Sequence, residues 1–468
     1  MVGGGIGGLS AAYYLAMKHQ VVLIEKGRIG GWVHSKKTPH LLELGPRSLR
    51  PTGIPGAHTL DLAFSLGLEK ELVLAGKKSP SALNRFILWN NELHRLPSSL
   101  FQFATSRSPL LKGMFWRLLL EPFKPRGPES ESVDSFITRR LGANVSNRLV
   151  SAMVHGIYAG DHTKLEVQAT LPLLPSLERE NGSIILAMIN RAFNPTIQPQ
   201  FIASSPAAQS FIEKIQSIAS IYSFKNGIQA LTDSLEDSLR RNANVQIIKG
   251  SCTAIDIDTK LVDYVSKEGI QSLQSDFVVS AIPAKNLSEI ICASSTASSK
   301  AIRKIRALLD QITSANVCVV NLVYTGKNLL QIDGFGFLVP VTEAHKTSVL
   351  GVVFDSCAIP EQDSNNKVTR LTVMIKYLEN ATNAKMLRMA LDIVEMRLGI
   401  APELLQTSLV TFQMECIPQY VLGHLKRINE IEGLITNSRL DLAIVGASYK
   451  GVAINDIVMH SRKMASML

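Results

Sequence analysis

Residues Gly3, Gly4, Gly5, Ile6, Gly7 and Gly8 contain the pattern G-x-G-x-x-G at Gly3, Gly5 and Gly8. Backbone of this kind suits a pyrophosphate. One glycine permits the tight turn from strand to helix. One lets the main chain approach a phosphate with no Cβ in the way, and one lets the helix pack close on the strand. The helix that follows aims free N–H groups and its positive dipole end at the anion. Glu25 stands 22 residues after Gly3, at the end of the apolar run Val21 to Glu25. A carboxylate there accepts hydrogen bonds from ribose hydroxyls. It also disfavours a 2′-phosphate, which argues against NADP.

Those features serve nicotinamide and flavin dinucleotides alike; two others favour FAD. Glu25-Lys26 leads into Arg28-Ile29-Gly30-Gly31-Trp32. That run resembles the Gly-Gly segment after the ribose acid in glutathione-reductase-like and amine-oxidase-like flavoproteins, where the backbone passes close to the cofactor. Near the other end lies Gly446-Ala447-Ser448-Tyr449-Lys450-Gly451-Val452-Ala453-Ile454-Asn455-Asp456. A strand, a glycine turn and a helix there place a second helix N-terminus by the flavin ring or ribityl chain. The expectation is one site built from both chain ends, so that the turns at Gly5 and Gly451 meet in space.

These residues need particular elements to hold them. The sequence predicts a first strand reduced to Met1 and Val2, with neither a secretory signal nor an Arg-rich transit peptide. A helix is expected over 9–17 and a strand over 21–25. Further along, 210–219 and 228–239 read as helices about an Asn226-Gly227 turn. Strands are expected at 245–249, 277–281, 315–325, 347–354 and 442–445, and helices over 384–398 and from Asn455. Residues 97–128 differ in character. Phe101, Phe103, Leu110, Leu111, Met114, Phe115, Trp116, Leu118, Leu119, Leu120 and Phe123 alternate with Arg107, Lys112, Arg117, Lys124 and Arg126 among five prolines. Such a segment suits a lipid interface, or else a helical lobe packed on the main body.

Composition narrows the classes. The chain has 468 residues, enough for two or three domains, and no run of about 18 apolar residues that would span a bilayer. The net charge of +10 favours anionic lipid or a carboxylated substrate. No dense basic block or zinc-finger spacing appears, so nucleic acid is not expected as a partner. Five scattered cysteines argue against a disulfide scaffold, and no metal site is expected.

Further segments resemble the protoporphyrinogen oxidase family, in its animal-type mitochondrial form. They are Gly45-Pro46-Arg47-Ser48-Leu49-Arg50-Pro51, Asn84-Arg85-Phe86, Lys124-Pro125-Arg126-Gly127, Gly156-Ile157-Tyr158-Ala159-Gly160, Gly334 to Pro340, Phe354-Asp355-Ser356, Pro360-Glu361-Gln362-Asp363 and Ile417-Pro418-Gln419-Tyr420. With both glycine motifs they cover nearly the whole chain in family order. The resemblance implies an α/β protein, α+β overall. Its parts would be a Rossmann-type FAD-binding domain (1–84, 208–285 and 420–468), a mixed-sheet substrate domain (85–96 and 286–419) and a helical membrane-associated domain (97–207). It implies non-covalent FAD, and oxidation of protoporphyrinogen IX to protoporphyrin IX with O2 as acceptor and H2O2 as product. It also implies peripheral attachment to the inner mitochondrial membrane, often as a homodimer.

Carried over by motif, cofactor contacts fall on Gly3 to Gly8, Glu25, Lys26, Trp32, Gly45, Pro46, Arg47, Ser48, Val245, Leu425, Val452, Ala453 and Ile454. Leu425 stands where the family pattern has an aromatic residue. Arg85 matches the propionate-binding arginine, while Phe335, Leu338 and Met153 match walls of the tetrapyrrole pocket. A guanidinium clamps a carboxylate through two parallel hydrogen bonds. The redox chemistry belongs to the flavin, so no catalytic acid or base is nominated, and His155 is read as structural. A flavin amine oxidase or desaturase relative, and a catalytically impaired flavin- or tetrapyrrole-binding protein, stay open as alternatives. Cys416 lies near the zone of the covalently flavinylated cysteine of some amine oxidases but lacks the glycine pattern around it.

Overall fold

The computed structural model describes residues 1–468 except 38, 99–101, 103–107, 195–200 and 364–366. Its first layer is a parallel sheet assembled from distant parts of the chain. Strand Val21–Glu25 pairs with Val245–Lys249, and Val278–Ser280 pairs with Leu442–Ile444. Val2 bridges the two pairs, lying parallel to Ile24 on one side and Ser280 on the other. The two-residue stub suffices because it is bonded on both edges. Val2 N–H donates to Val279 O (2.9 Å), Gly3 N–H to Ile24 O (2.9 Å) and Ala281 N–H to Val2 O (2.8 Å).

Both faces of this sheet are covered, as its near-continuous apolar strands require, one by helices and the other by helices together with a four-stranded sheet that contributes Ile255, Val262 and Tyr264. Ile6–Leu15, Gln229–Arg241 and Ile454–Ala465 close one face around Leu9, Leu23, Leu231, Leu235 and Val458. Ala284–Ile290, Thr296–Leu309 and His424–Asn437 close the other around Val2, Ile24, Leu287, Ile305 and Ile431.

A second, seven-stranded sheet runs in the order Leu405–Pro418, Ser314–Thr325, Val368–Lys376, Val349–Val353, Gly336–Leu338, Phe86–Trp89 and Glu92–Arg95. It is antiparallel except where Gly336–Leu338 meets Phe86–Trp89 in parallel. Helix Asn383–Leu398 packs on it. Strand Ser314–Thr325 is buried without interruption from Val317 to Tyr324, because both its faces are covered.

The third part is helical. Val133–Leu141, Ser151–Tyr158, Leu173–Asn181 and Ile184–Phe193 enclose Phe136, Ile137, Val154 and Leu177. Arg140 is buried at its centre, paired with Glu121 (3.1 Å) and Glu178. Glu121 in turn accepts from the backbone N–H groups of Ile184 (3.0 Å) and Ile185 (3.2 Å), which caps that helix with a negative charge at its positive end. Residues 109–123 do not form one continuous amphipathic helix. Pro109 and Pro122 split them into 3-10 turns at Pro109–Leu111 and Glu121–Phe123 around helix Met114–Leu120. Leu110, Leu111 and Met114 are buried, whereas Phe115, Trp116, Leu119, Leu120 and Phe123 are exposed. Phe101, Phe103 and Arg107 lie outside the described residues.

Candidate functional site

The N-terminal turn has the shape its glycines require. Gly3 takes φ +99°, a region that L side chains rarely adopt. A Cβ on Gly8 would collide with the Gly3 carbonyl oxygen, so this glycine seats the helix on the strand. Gly5 differs, since a Cβ there would meet no protein atom within 4 Å. Gly5 is also the N-cap of helix Ile6–Leu15 and offers no side chain to satisfy the first N–H groups. Those amides face outward from a spot that only glycine leaves clear, which fits a pyrophosphate.

Around this turn the chain closes in. The Glu25 carboxylate accepts from Gly4 N–H (2.6 Å) and Gly27 N–H (2.5 Å), which fixes it at the lip. Gly30 N–H donates to Gly4 O (2.8 Å), and a Cβ on Gly31 would lie 3.3 Å from the Gly5 Cα. Arg28 holds this loop by donating to Ile29 O (2.9 Å) and Gly31 O (2.7 Å). Gly45 lies against the Trp32 carbonyl, where a Cβ would collide. Lys26 and Trp32 are exposed, and Pro46 and Ser48 are half-buried.

The C-terminal motif meets the first one. A Cβ on Gly7 would stand 3.3 Å from the Gly446 Cα and 3.2 Å from Ile457 Cγ2, while the Ser461 hydroxyl donates to Gly7 O (3.1 Å). Gly446 and Gly451 take φ +112° and +90°. Val452 and Ala453 then lead into helix Ile454–Ala465, whose N-cap Ala453 provides no side-chain cap. Asn455 Nδ2 donates to Arg50 O (2.8 Å), tying this helix start to the 45–51 turn.

That turn carries Arg47, a buried guanidinium. Its Nη1 pairs with Asp355 (2.9 Å), and its Nη2 is buried with no hydrogen-bond partner among the described residues. An orphaned cationic N–H in such a place fits an acceptor on a bound cofactor or substrate. Glu43, just upstream, accepts from the Ser35 hydroxyl (2.6 Å) and Ile228 N–H (2.8 Å). Burial pushes its carboxyl up to about 7, against the pull of those hydrogen bonds.

The substrate-side residues are connected to Arg47 through the main chain. Asp355 follows Phe354, whose N–H donates to Phe335 O (3.0 Å); Phe335 N–H donates to Asn84 O (3.1 Å), and Arg85 comes next. Arg85 is exposed and its side chain has no acidic partner among the described residues. Partial desolvation lowers its pKa, and the charge of Arg50 lowers it further. Phe335, Leu338 and Met153 are each half-buried. Gly156 brings helix Ser151–Tyr158 hard against Leu338, since a Cβ there would collide with the Leu338 side chain. His155 lies 3.0 Å from Val339 O through Nδ1, a structural contact.

One expected cofactor residue falls elsewhere. Val245 pairs with Val21, at the start of its strand, whereas Glu25 pairs with Lys249. Strand length therefore carries Val245 to the opposite end of the sheet from the glycine turn. Lys249 and Gly250 take that place, with Lys249 Nζ on Gly27 O and Gly250 N–H on Glu25 O. Leu425 lies on helix His424–Asn437, its N–H bonded to Glu166 Oε2 (3.0 Å) on the helical side. Arg50, not nominated from the sequence, stands in the same turn as Arg47 and its charge reaches Arg85.

A Rossmann-type dinucleotide cradle closed by the C-terminal helix, beside a mixed sheet, defines the class of two-domain flavoprotein oxidoreductases. Residues 6–437 match the family model for flavin containing amine oxidoreductase. The chain is 36% identical to the protoporphyrinogen oxidase of Homo sapiens over 99% of its own length and 97% of the human protein. It is 33% identical to that of Schizosaccharomyces pombe, covering 100% and 98% of the two chains. The solved structure of cyclohexylamine oxidase from Brevibacterium oxydans shares the fold at a TM-score of 0.66 and 15% identity, over 100% of this chain and 97% of that one. The chain belongs to the flavin containing amine oxidoreductase family, within its protoporphyrinogen oxidase group, and its cofactor is FAD.

Proposed function

We propose that this chain oxidises protoporphyrinogen IX to protoporphyrin IX, using O2 and releasing H2O2, while attached peripherally to the inner mitochondrial membrane, as a homodimer. The observation that carries the substrate assignment is Arg85, a guanidinium without an acidic partner at the end of a half-buried apolar wall. When bound, FAD supplies the two-electron acceptor that no side chain provides.

The chain's own residues bind and orient. Arg85 clamps one propionate, and Arg50, near enough to depress its pKa, meets the second. Phe335, Leu338 and Met153 lie against the macrocycle. Gly3 to Gly8 hold the pyrophosphate and Glu25 the adenosine ribose, while Trp32, Lys26, the Gly45 to Ser48 turn and Val452 to Ile454 line the rest of the cofactor. Arg47, whose Nη2 has no partner among the described residues, donates that N–H to the bound cofactor or substrate. The cofactor half comprises 1–84, 208–285 and 420–468, the substrate half 85–96 and 286–419, and the helical part 97–207.

The test is direct. Purified protein is incubated with protoporphyrinogen, and porphyrin fluorescence and peroxide are followed together. Both should rise in step. A yellow, FAD-loaded protein that yields neither would sink the assignment. Denaturation should release free FAD; flavin retained on the polypeptide would point to covalent attachment.

A further inference from the structure

The C-terminal glycine turn is held by two aromatic rings at the border with the helical part. Tyr420 is buried in the helical core beside Tyr158 and Val452. Its hydroxyl donates to the Ala447 carbonyl at 2.5 Å. His424, also fully buried, stacks on the Tyr420 ring with centroids 4.0 Å apart and planes 20° from parallel. Its Nε2 lies 2.9 Å from the Tyr449 carbonyl. A carbonyl only accepts, so Nε2 carries the proton and donates. Burial keeps the ring neutral, with its pKa lowered to about 4. Between these two bonds, Ser448 Oγ accepts from Ala284 N–H (3.1 Å). Three consecutive residues of the turn are thus pinned.

The clamp is rooted in the helical part. Glu166 N–H donates to Tyr420 O (2.8 Å), and the Glu166 carboxylate accepts from Leu425 N–H (3.0 Å) and the Ser130 hydroxyl (2.6 Å). A trans peptide sets its N–H opposite its C=O, so holding the carbonyls of residues 447 and 449 also fixes where the next two N–H groups point.

From this geometry we infer that Tyr420 and His424 are positioning residues that set the C-terminal glycine turn, and with it the start of helix Ile454–Ala465, against the flavin. The inference rests on the flavin site described above. It makes the helical part, which seats Tyr420 and helix His424–Asn437 through Glu166, an indirect support of the cofactor.

The test uses FAD-loaded protein carrying Tyr420→Phe, which keeps the ring and removes one donor, or His424→Phe, which keeps the stack and removes the other. Tyr324→Phe is the control, because that hydroxyl is buried in the substrate sheet with no partner among the described residues. FAD release after dilution is followed by flavin fluorescence, and the visible flavin band and midpoint potential are recorded. One hydrogen bond is worth about 1 kcal/mol, so each clamp variant should release FAD about five- to tenfold faster, with a shifted band or potential. The control should match the parent. A Tyr420→Phe protein with the parent's release rate, band and potential overturns the inference, even if its Tm falls. Should His424→Phe not fold, Tyr420→Phe decides alone. A parent that carries no flavin band overturns the flavin site and the inference together.

Discussion

Gly5 and Gly8 belong to one motif but do different work, and single substitutions separate them. Gly8 touches protein, since a Cβ there collides with the Gly3 carbonyl oxygen. Gly8→Val should therefore destabilise the folded chain itself. Gly5 touches no protein atom within 4 Å. Gly5→Val should fold with a Tm near the parent's and lose its flavin, read as the absorbance near ~450 nm against that at ~280 nm. A Gly5→Val protein fully loaded with FAD would contradict the placement of the pyrophosphate. Arg85 is the corresponding residue on the substrate side. A hydrogen bond to a charged group is worth about 1.5–3 kcal/mol, so Arg85→Ala should raise the KM for protoporphyrinogen roughly 10- to 100-fold at unchanged FAD content. Arg85→Lys should recover only part of that, because an ammonium lacks the planar fork. An unchanged KM in Arg85→Ala removes its assigned role.

At the scale of elements, the short strand Leu41–Glu43 delivers a buried acid to the base of the Arg47 turn. Glu43 titrates at about 7 in the folded chain and at 4.5 when solvated. As pH rises through that window the unfolded chain gives up its proton first, so the folded form binds more protons and stability falls with pH. The effect is fully present below pH 4.5 and spent above about 7. Relative to Glu43→Gln, the parent should lose on the order of 3 kcal/mol across this range, seen as converging or crossing Tm curves. Parallel curves would show that Glu43 is ionised throughout. Much of this framework was legible beforehand, because glycine turns and acid-ended strands are local signals. Both chain ends were expected to build one site, and Gly7 does lie against Gly446. Val245 was misplaced because pairing direction decides which end of a strand faces the cofactor, and that is a property of the neighbour. Tyr420 stands in the Ile417 to Tyr420 motif, but its role and that of His424 gave no signal, since what they hold are backbone carbonyls some 25 residues away.

The molecule as a whole carries one side that water does not suit. Phe115, Trp116 (68% exposed), Leu119, Leu120 and Phe123 project from the 114–123 segment. Helix Ile184–Phe193, which packs on that segment through Glu121, adds Leu186, Met188, Ile189 and Phe193 (81% exposed). The sequence run Ile184-Ile185-Leu186-Ala187-Met188-Ile189 looks like core, yet only Ile184 and Ala187 are buried. Exposed clusters of this kind mark interaction surfaces. Arg117, Lys124 and Arg126 are also exposed in this region, and the net charge is +10. No described helix is long and apolar enough to cross a membrane. Shallow insertion with cations at the headgroups satisfies all of these observations. The protein should therefore sediment with vesicles containing anionic lipid, and less so at high salt, where screening weakens the cationic contribution. Burying a large apolar side chain is worth about 1.5–3 kcal/mol, so Trp116→Glu with Phe193→Glu should cut vesicle binding at least tenfold. FAD content and turnover of detergent-dispersed substrate should be retained, because neither residue touches the cofactor turn. Equal vesicle binding by parent and double variant would rule out this face as a membrane contact.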